Sequence, residues 1–161
     1  PDVVYRPQNN PLLDMLIYRC RSTIYKTQID HDDMRGLIRH LKEGDAIWYS
    51  PDQDFGLKQG VMAPFFGVEA ATVTAHRRLL KISKAVAIPL YFYRHGDIKN
   101  PQYHVLIEPA VDPLPSEDEL ADAIRVNKII ENQLRIAPTQ YMWFHRRFKT
   151  RHEGYEKIYH D

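Results

Sequence analysis

Two carboxylates stand two residues apart in Pro51-Asp52-Gln53-Asp54-Phe55-Gly56, a polar, glycine-bearing stretch after the apolar run Ala46–Tyr49. Open α/β sheets bind ligands outside the carboxyl ends of their strands. A carboxylate pair there can orient a histidine, hold a divalent cation or take a cationic substrate group. An aspartate-rich turn that only caps backbone N–H groups has the same spelling. Arg6 follows another short apolar run, Val3–Tyr5, and is expected on the same rim. Its planar fork suits a phosphate, which it can bond through two oxygens at once. A plain surface arginine is the alternative.

A third cluster lies near the C-terminus, where Arg146, Arg147, Lys149 and Arg151 fall between His145 and His152 with no acid among them. Tyr141, Trp143 and Phe144 precede it. Basic residues interleaved with aromatics fit an anionic lipid surface or single-stranded nucleic acid; a solvated basic segment fits equally. Arg77, Arg78, Lys81 and Lys84 make a second basic patch.

The histidines carry less. His40 and Asp45 formally match a His-x4-acid acyltransferase pair. Eight histidines and 21 acids in 161 residues give about one such match by chance, and His40 lies in the last turn of an expected helix, where a cation is favoured anyway. It is set aside as a catalytic group. His31, His152 and His160 lack metal-ligand spacing, so no metal is expected. Gly-x-Ser-x-Gly, Walker and Gly-x-Gly-x-x-Gly patterns are absent.

The elements that must position these groups alternate. Val3–Tyr5 reads as a strand. Asn10 and Pro11 then mark a helix start, and Leu12, Leu13, Leu16, Ile17 and Cys20 put one stripe of a helix over 11–21 toward a core. Thr23–Ile29 is ambiguous, a short strand at most. A second helix opens near Asp30 and stops at Gly44, and Ala46–Tyr49 is a strand. Val61–Gly67 is apolar but interrupted by Pro64, which predicts irregular packed chain. A helix is expected over Ala70–Ser83, and a hairpin from Val86–Tyr93 and Tyr103–Glu108. Ser116 and Glu119 spell a capping box for a long helix ending near Arg135. The fold class is α/β, a mixed sheet flanked by helices, in one domain over 1–161 that includes a basic, aromatic tail from 140 to 161.

The composition sets bounds on function. The chain is 43% hydrophobic and 27% charged, with a formal charge of +1. These values exclude disorder, collagen and coiled coil and give no whole-chain case for nucleic-acid binding. Cys20 is the only cysteine, which excludes an internal disulfide and a cysteine-rich zinc site. No apolar run reaches the roughly 18 residues of a membrane span. The first residue is Pro1, and strand begins at once, so a fragment or a processed chain is expected.

In order along the chain, Val4-Tyr5-Arg6-Pro7 with Asn10-Pro11-Leu12, Asp33-Met34-Arg35-Gly36-Leu37-Ile38, Trp48–Gly56, Ala63-Pro64-Phe65-Phe66-Gly67-Val68-Glu69-Ala70-Ala71-Thr72 and Ala137–Arg151 resemble the lipid A biosynthesis acyltransferases. These are the lauroyl and myristoyl transferases of Gram-negative bacteria, within the wider glycerolipid acyltransferases. The resemblance covers essentially the whole chain, in register.

It implies a glycerolipid-acyltransferase-like core, incomplete at its N-terminus. It also implies acyl transfer from an acyl carrier protein thioester to a hydroxyl of a lipid A precursor, with no cofactor, at the cytoplasmic face of the inner membrane. The family's His-x4-acid pair and membrane anchor would lie upstream of Tyr5-Arg6, leaving this chain without a catalytic residue and inactive alone. By resemblance, Arg6 matches a phosphate or oxyanion contact, and Asp52, Asp54 and Gly56 match the acceptor site. Arg146, Arg147 and Lys149 belong to a family signature to which a lipid phosphate or membrane contact is assigned. The segment His76-Arg77-Arg78 is more basic than the family pattern. Besides the acyl carrier protein and lipid A precursor, the expected partner is an anionic membrane surface; nucleic acid is not expected. A non-catalytic module that binds anionic lipid headgroups is the alternative reading.

Overall fold

Strand β1 (Asp2–Tyr5) runs between β2 (Gln28–Asp30) and β3 (Ile47–Trp48), parallel to both, in the computed structural model, which describes residues 1–159. Parallel neighbours need crossovers, and two helices supply them: α1 (Pro11–Ser22) leads from β1 to β2, and α2 (Met34–Lys42) from β2 to β3. Asn10 caps α1 as its sequence predicts, accepting from Leu12 N at 3.0 Å and Leu13 N at 3.3 Å, with Pro11 in the first turn. Asp33, not Asp30, caps α2, accepting from Gly36 N at 2.8 Å.

The chain divides into two compact units, 1–50 with 79–85 and 51–78 with 86–161. The first is cored by Ile29, Leu37 and Leu79, with Val4, Met34, Ile38, Leu41, Ile47 and Tyr49 packed around them. Burial pushes the Tyr49 hydroxyl up to about 12. The expected buried stripe of α1 is not buried: no residue of the helix is enclosed, and Leu12, Leu13, Met15 and Leu16 face outward.

The second unit contains two antiparallel hairpins, β4 (Gly60–Phe65) with β5 (Val68–Val73) and β6 (Leu90–His95) with β7 (Gln102–Ile107). Two expectations are corrected here. Val61–Gly67 is a strand and a turn rather than irregular chain. Pro64 is tolerated because a two-stranded sheet leaves each strand a free edge where no N–H is required. Residues 70–73, expected as the start of a helix, belong to strand β5 (Val68–Val73). Val68, Thr72 and Val73 are β-branched and suit a pleated surface, so helix α3 starts only at Ala75 and ends at Ser83. Phe66 and Gly67, both at positive φ, form the two-residue turn between β4 and β5. The strand expected from Val86 begins at Leu90, although Ala87 O and Pro89 O still accept from Val111 N and Glu108 N.

Helix α4 (Glu119–Leu134) packs on β4. Its cap is Asp118, accepting from Ala121 N at 3.0 Å, rather than Ser116. Phe65, Ala70 and Leu134 form the core of this unit, lined by Tyr91, Ile130, Tyr141 and Phe148. The class is α/β as expected, with its strands shared among three sheets rather than joined in one. No described helix is long and apolar enough to cross a membrane.

Candidate functional site

Arg6 leaves the carboxyl end of β1, and the turn around it is fixed from both sides. The Asp14 carboxylate accepts from the Tyr5 hydroxyl and, at 2.7 Å, from Gln8 N. Gln8 Nε2 donates back to Arg6 O at 3.3 Å, and His31 N bonds Tyr5 O at 2.8 Å. Arg21 stacks over the Tyr5 ring. The exposed Arg6 side chain, with Pro7, Gln8, Asn9, Asn10 and Leu13, lines an open concavity of about 440 Å³ beside the start of α1. Among the described residues no carboxylate pairs with its guanidinium. An unpaired guanidinium at a helix start is suited to a phosphate or another oxyanion.

Loop 51–59 belongs to the second unit, and its two aspartates have separate duties. Asp54 is buried. Its Oδ1 accepts from Gly56 N at 2.9 Å and Thr150 Oγ1 at 2.8 Å, and its Oδ2 from Thr150 N at 2.8 Å. This carboxylate is a strut between the loop and the C-terminal segment. Asp52 is half-buried, and only its main chain is engaged, Asp52 O accepting from the Tyr141 hydroxyl at 3.2 Å. No hydrogen bond engages its carboxylate among the described residues, which leaves it able to accept from a ligand hydroxyl. Gly56 sits at φ 76° and ψ 177°, a conformation open essentially to glycine alone.

Arg147 departs from the expected surface role. It is 1% exposed. Its Nη1 donates to Ala71 O at 2.6 Å, and its Nη2 to Thr72 Oγ1 at 3.0 Å and Asn127 Oδ1 at 3.3 Å. The guanidinium lies over the Phe65 ring. Burial lowers its pKa, and Tyr141, Asp54 and Asp52 offset part of that effect. An arginine keeps its proton in such a setting, so Arg147 is an internal cation that ties the C-terminal segment to β5 and α4. A guanidinium enclosed in this way is removed from contact with lipid phosphate. Arg146 and Lys149, on either side, are exposed; Arg146 lies over the Tyr159 ring. Trp143 and Phe144 are exposed beside them, Phe144 at 80%.

The basic segment at the start of α3 also resolves into structure. Arg77 Nε donates to Asp122 Oδ2 and its Nη2 to Ser116 O, both at 2.7 Å, while Ser116 N bonds the same carboxylate. Burial raises the Asp122 pKa, but the bonds from Ser116 and Arg77 outweigh it and hold the group below the carboxylate range.

The structure thus brings Asp54, Gly56 and the Arg147 segment together through Thr150, and places Arg6 in the first unit. Sequence reasoning missed Thr150, Tyr141 and Asn127. Thr150 and Tyr141 lay inside the quoted C-terminal stretch, but no spacing rule marks them as partners of a loop ninety residues away. His160, considered for metal spacing, lies outside the described residues.

The model of the bacterial lipid A biosynthesis acyltransferase family matches residues 2–150. The chain is 41% identical over 157 residues to the lipid A biosynthesis lauroyltransferase of Escherichia coli K12, covering 97% of this chain and 51% of that protein. It is 39% identical over 156 residues to the palmitoleoyltransferase of the same strain, covering 96% and 50%. It is 43% identical over 150 residues to a lipid A biosynthesis acyltransferase of Haemophilus influenzae, covering 92% and 48%. The chain spans about half the length of the curated relatives it matches.

Proposed function

The chain belongs to the bacterial lipid A biosynthesis acyltransferase family, and from that premise we propose that it forms the acceptor-binding part of an enzyme that acylates a lipid A precursor. The observation that carries this reading is the unpaired Arg6 guanidinium at the 440 Å³ concavity beside α1. It is a site for a phosphorylated ligand in a chain whose relatives are named for lipid A synthesis.

The donor in this reading is an acyl carrier protein thioester. The acceptor hydroxyl attacks the thioester carbonyl, an O–C bond forms, and the C–S bond breaks through a tetrahedral oxyanion. The hydroxyl proton leaves with the thiol. Arg6 holds a phosphate of the acceptor, which fixes the sugar and raises the effective concentration of the hydroxyl. Independently of Arg6, the Asp52 carboxylate of the second unit is an acceptor for a sugar hydroxyl. Asp54, Gly56 and Thr150 hold the loop that presents Asp52, and the Tyr141 hydroxyl fixes its main chain. Arg146 and Lys149, with exposed Trp143 and Phe144, meet the anionic headgroups of the cytoplasmic face of the inner membrane. Near such a surface each cation contributes about 1 kcal/mol.

The test measures binding of a phosphorylated, acylated disaccharide precursor to the chain. Binding should weaken at least about tenfold in Arg6→Ala, the loss of one charge-assisted pair. It should weaken equally when the phosphates are removed from the ligand. Wild-type affinity for the dephosphorylated ligand would overturn the reading.

A further inference from the structure

Asp2, at the start of β1, is 1% exposed, and no donor is aligned to hydrogen-bond either of its carboxylate oxygens. A buried carboxylate without a partner is costly, so its surroundings must supply positive charge. His40 Nδ1 stands 3.2 Å from Asp2 Oδ2, and the same nitrogen stands 2.9 Å from Asp45 Oδ2. These three ligand atoms lie within 4.8 Å of one another. Lys26 Nζ bonds the other oxygen of Asp45, Oδ1, at 2.9 Å, so Oδ2 remains directed at the histidine.

We propose that Asp2, His40 and Asp45 form a binding site for a divalent transition-metal cation of the Zn²⁺ type. The donor set is one imidazole nitrogen and two carboxylate oxygens, which suits Zn²⁺ with a fourth position for water. Bonds of about 2.0–2.1 Å in a tetrahedron set ligand atoms about 3.3 Å apart. The two separations from His40 Nδ1, 2.9 and 3.2 Å, require only a few tenths of an ångström of opening, and the two carboxylate oxygens lie within 4.8 Å of each other. The scaffold holds all three ligands. Asp2 N bonds Ala46 O at 2.8 Å, Asp2 pairs with Ile47 across β1 and β3, and Asp45 N bonds His40 O at 3.0 Å. With the His40 imidazole neutral, as a metal ligand must be, two carboxylates against one lysine leave an excess negative charge that a cation neutralises.

The second acidic cluster, Asp30, His31 and Asp32, is exposed and has no comparable buried group, so it serves as the control. The site goes beyond the acyl-transfer reading and does not depend on it. It revises the expectation that the chain holds no metal. It gives His40 and Asp45 a role as ligands at the opposite end of β1 from Arg6. The cation cross-links β1 to the corner between α2 and β3.

The test titrates the purified, metal-free chain with Zn²⁺ by calorimetry and with Co²⁺ by visible absorption. Saturable binding of one equivalent is expected, with intense tetrahedral Co²⁺ bands. His40→Ala and Asp45→Asn should each weaken it at least about tenfold, and His31→Ala should leave it unchanged. Because a ligand variant can lose its fold, the ring-nitrogen resonances of the unaltered chain supply a second readout. The Nδ1 signal of His40 should shift on Zn²⁺ addition, while those of His31 stay. No one-equivalent binding, binding retained in a folded His40→Ala, or an Nδ1 that stays protonated between the two carboxylates at saturating Zn²⁺ would each overturn the site.

Discussion

Thr150 grips the carboxylate of Asp54 with two hydrogen bonds of 2.8 Å, one from its backbone N–H and one from its hydroxyl, across 96 residues of chain. Thr150→Val keeps the shape and removes one of the two. It should cost about 1 kcal/mol of stability, and Asp54→Ala, which leaves both donors and Gly56 N without their acceptor, about 2–3 kcal/mol. Urea denaturation measures both. Because the strut positions Asp52, either change should weaken acceptor binding more than its effect on folding explains.

The loop conformation makes a separate demand at Gly56. With φ at 76° and ψ at 177°, any side chain there forces strained backbone. Gly56→Ala should destabilise by about 1–3 kcal/mol, although the added methyl would meet only Thr150 Oγ1, at 3.9 Å. Thermal melting against wild type reads the cost, and a neutral result would contradict the backbone assignment.

Neighbouring cations in the C-terminal segment should respond oppositely. Arg147→Lys cannot reproduce bonds to Ala71, Thr72 and Asn127 from one fork. It should cost about 3 kcal/mol of stability, as loss of a partner in a buried polar network does. The folded fraction should bind anionic vesicles as before. Arg146→Ala with Lys149→Ala should leave melting unchanged within about 0.5 kcal/mol and reduce binding to phosphatidylglycerol vesicles. Flotation at two salt concentrations separates the two effects, since headgroup attraction is screened by salt.

Asp122 predicts the acid limit of the second unit. Its ordinary value is 3.8, and its folded value is held lower by Ser116 and Arg77. A lowered carboxylate contributes stability that is complete above its unfolded value and is lost as pH falls through the folded one. Stability should therefore decline as pH drops below about 4. Asp122→Asn should lower stability at neutral pH by about 2 kcal/mol and flatten that decline. Denaturant midpoints collected from pH 3 to 7 supply the curve.

What the sequence made legible was local. Asn10 and Pro11 announced α1, and the run Val3–Tyr5 announced β1, because capping and alternation act over a few residues. Pro64 misled because its effect depends on whether its edge is free, a property of the sheet and not of the strand. The apolar periodicity of α1 predicts a buried stripe that the structure leaves exposed, because periodicity does not say what covers a face. Arg147 was read as a surface cation because a basic run normally faces water. Its burial rests on Thr72 and Asn127, which no local rule connects to it. His40 and Asp45 match a spacing that chance also produces, and Asp2, the third member of the cluster, lies 38 residues before His40 in the chain.

Binding of a lipid A precursor through the Arg6 guanidinium during acyl transfer can be measured in a full-length setting. The matching half of the Escherichia coli lauroyltransferase is replaced by residues 1–161, and transfer of a labelled acyl group from acyl carrier protein to the phosphorylated disaccharide precursor is measured. The chimera should transfer the group, and Arg6→Ala and Asp52→Ala should each reduce kcat/KM by about 100-fold or more, the loss expected when a positioning contact is removed, with melting unchanged. A chimera that transfers at its own full rate in both variants would contradict the claim.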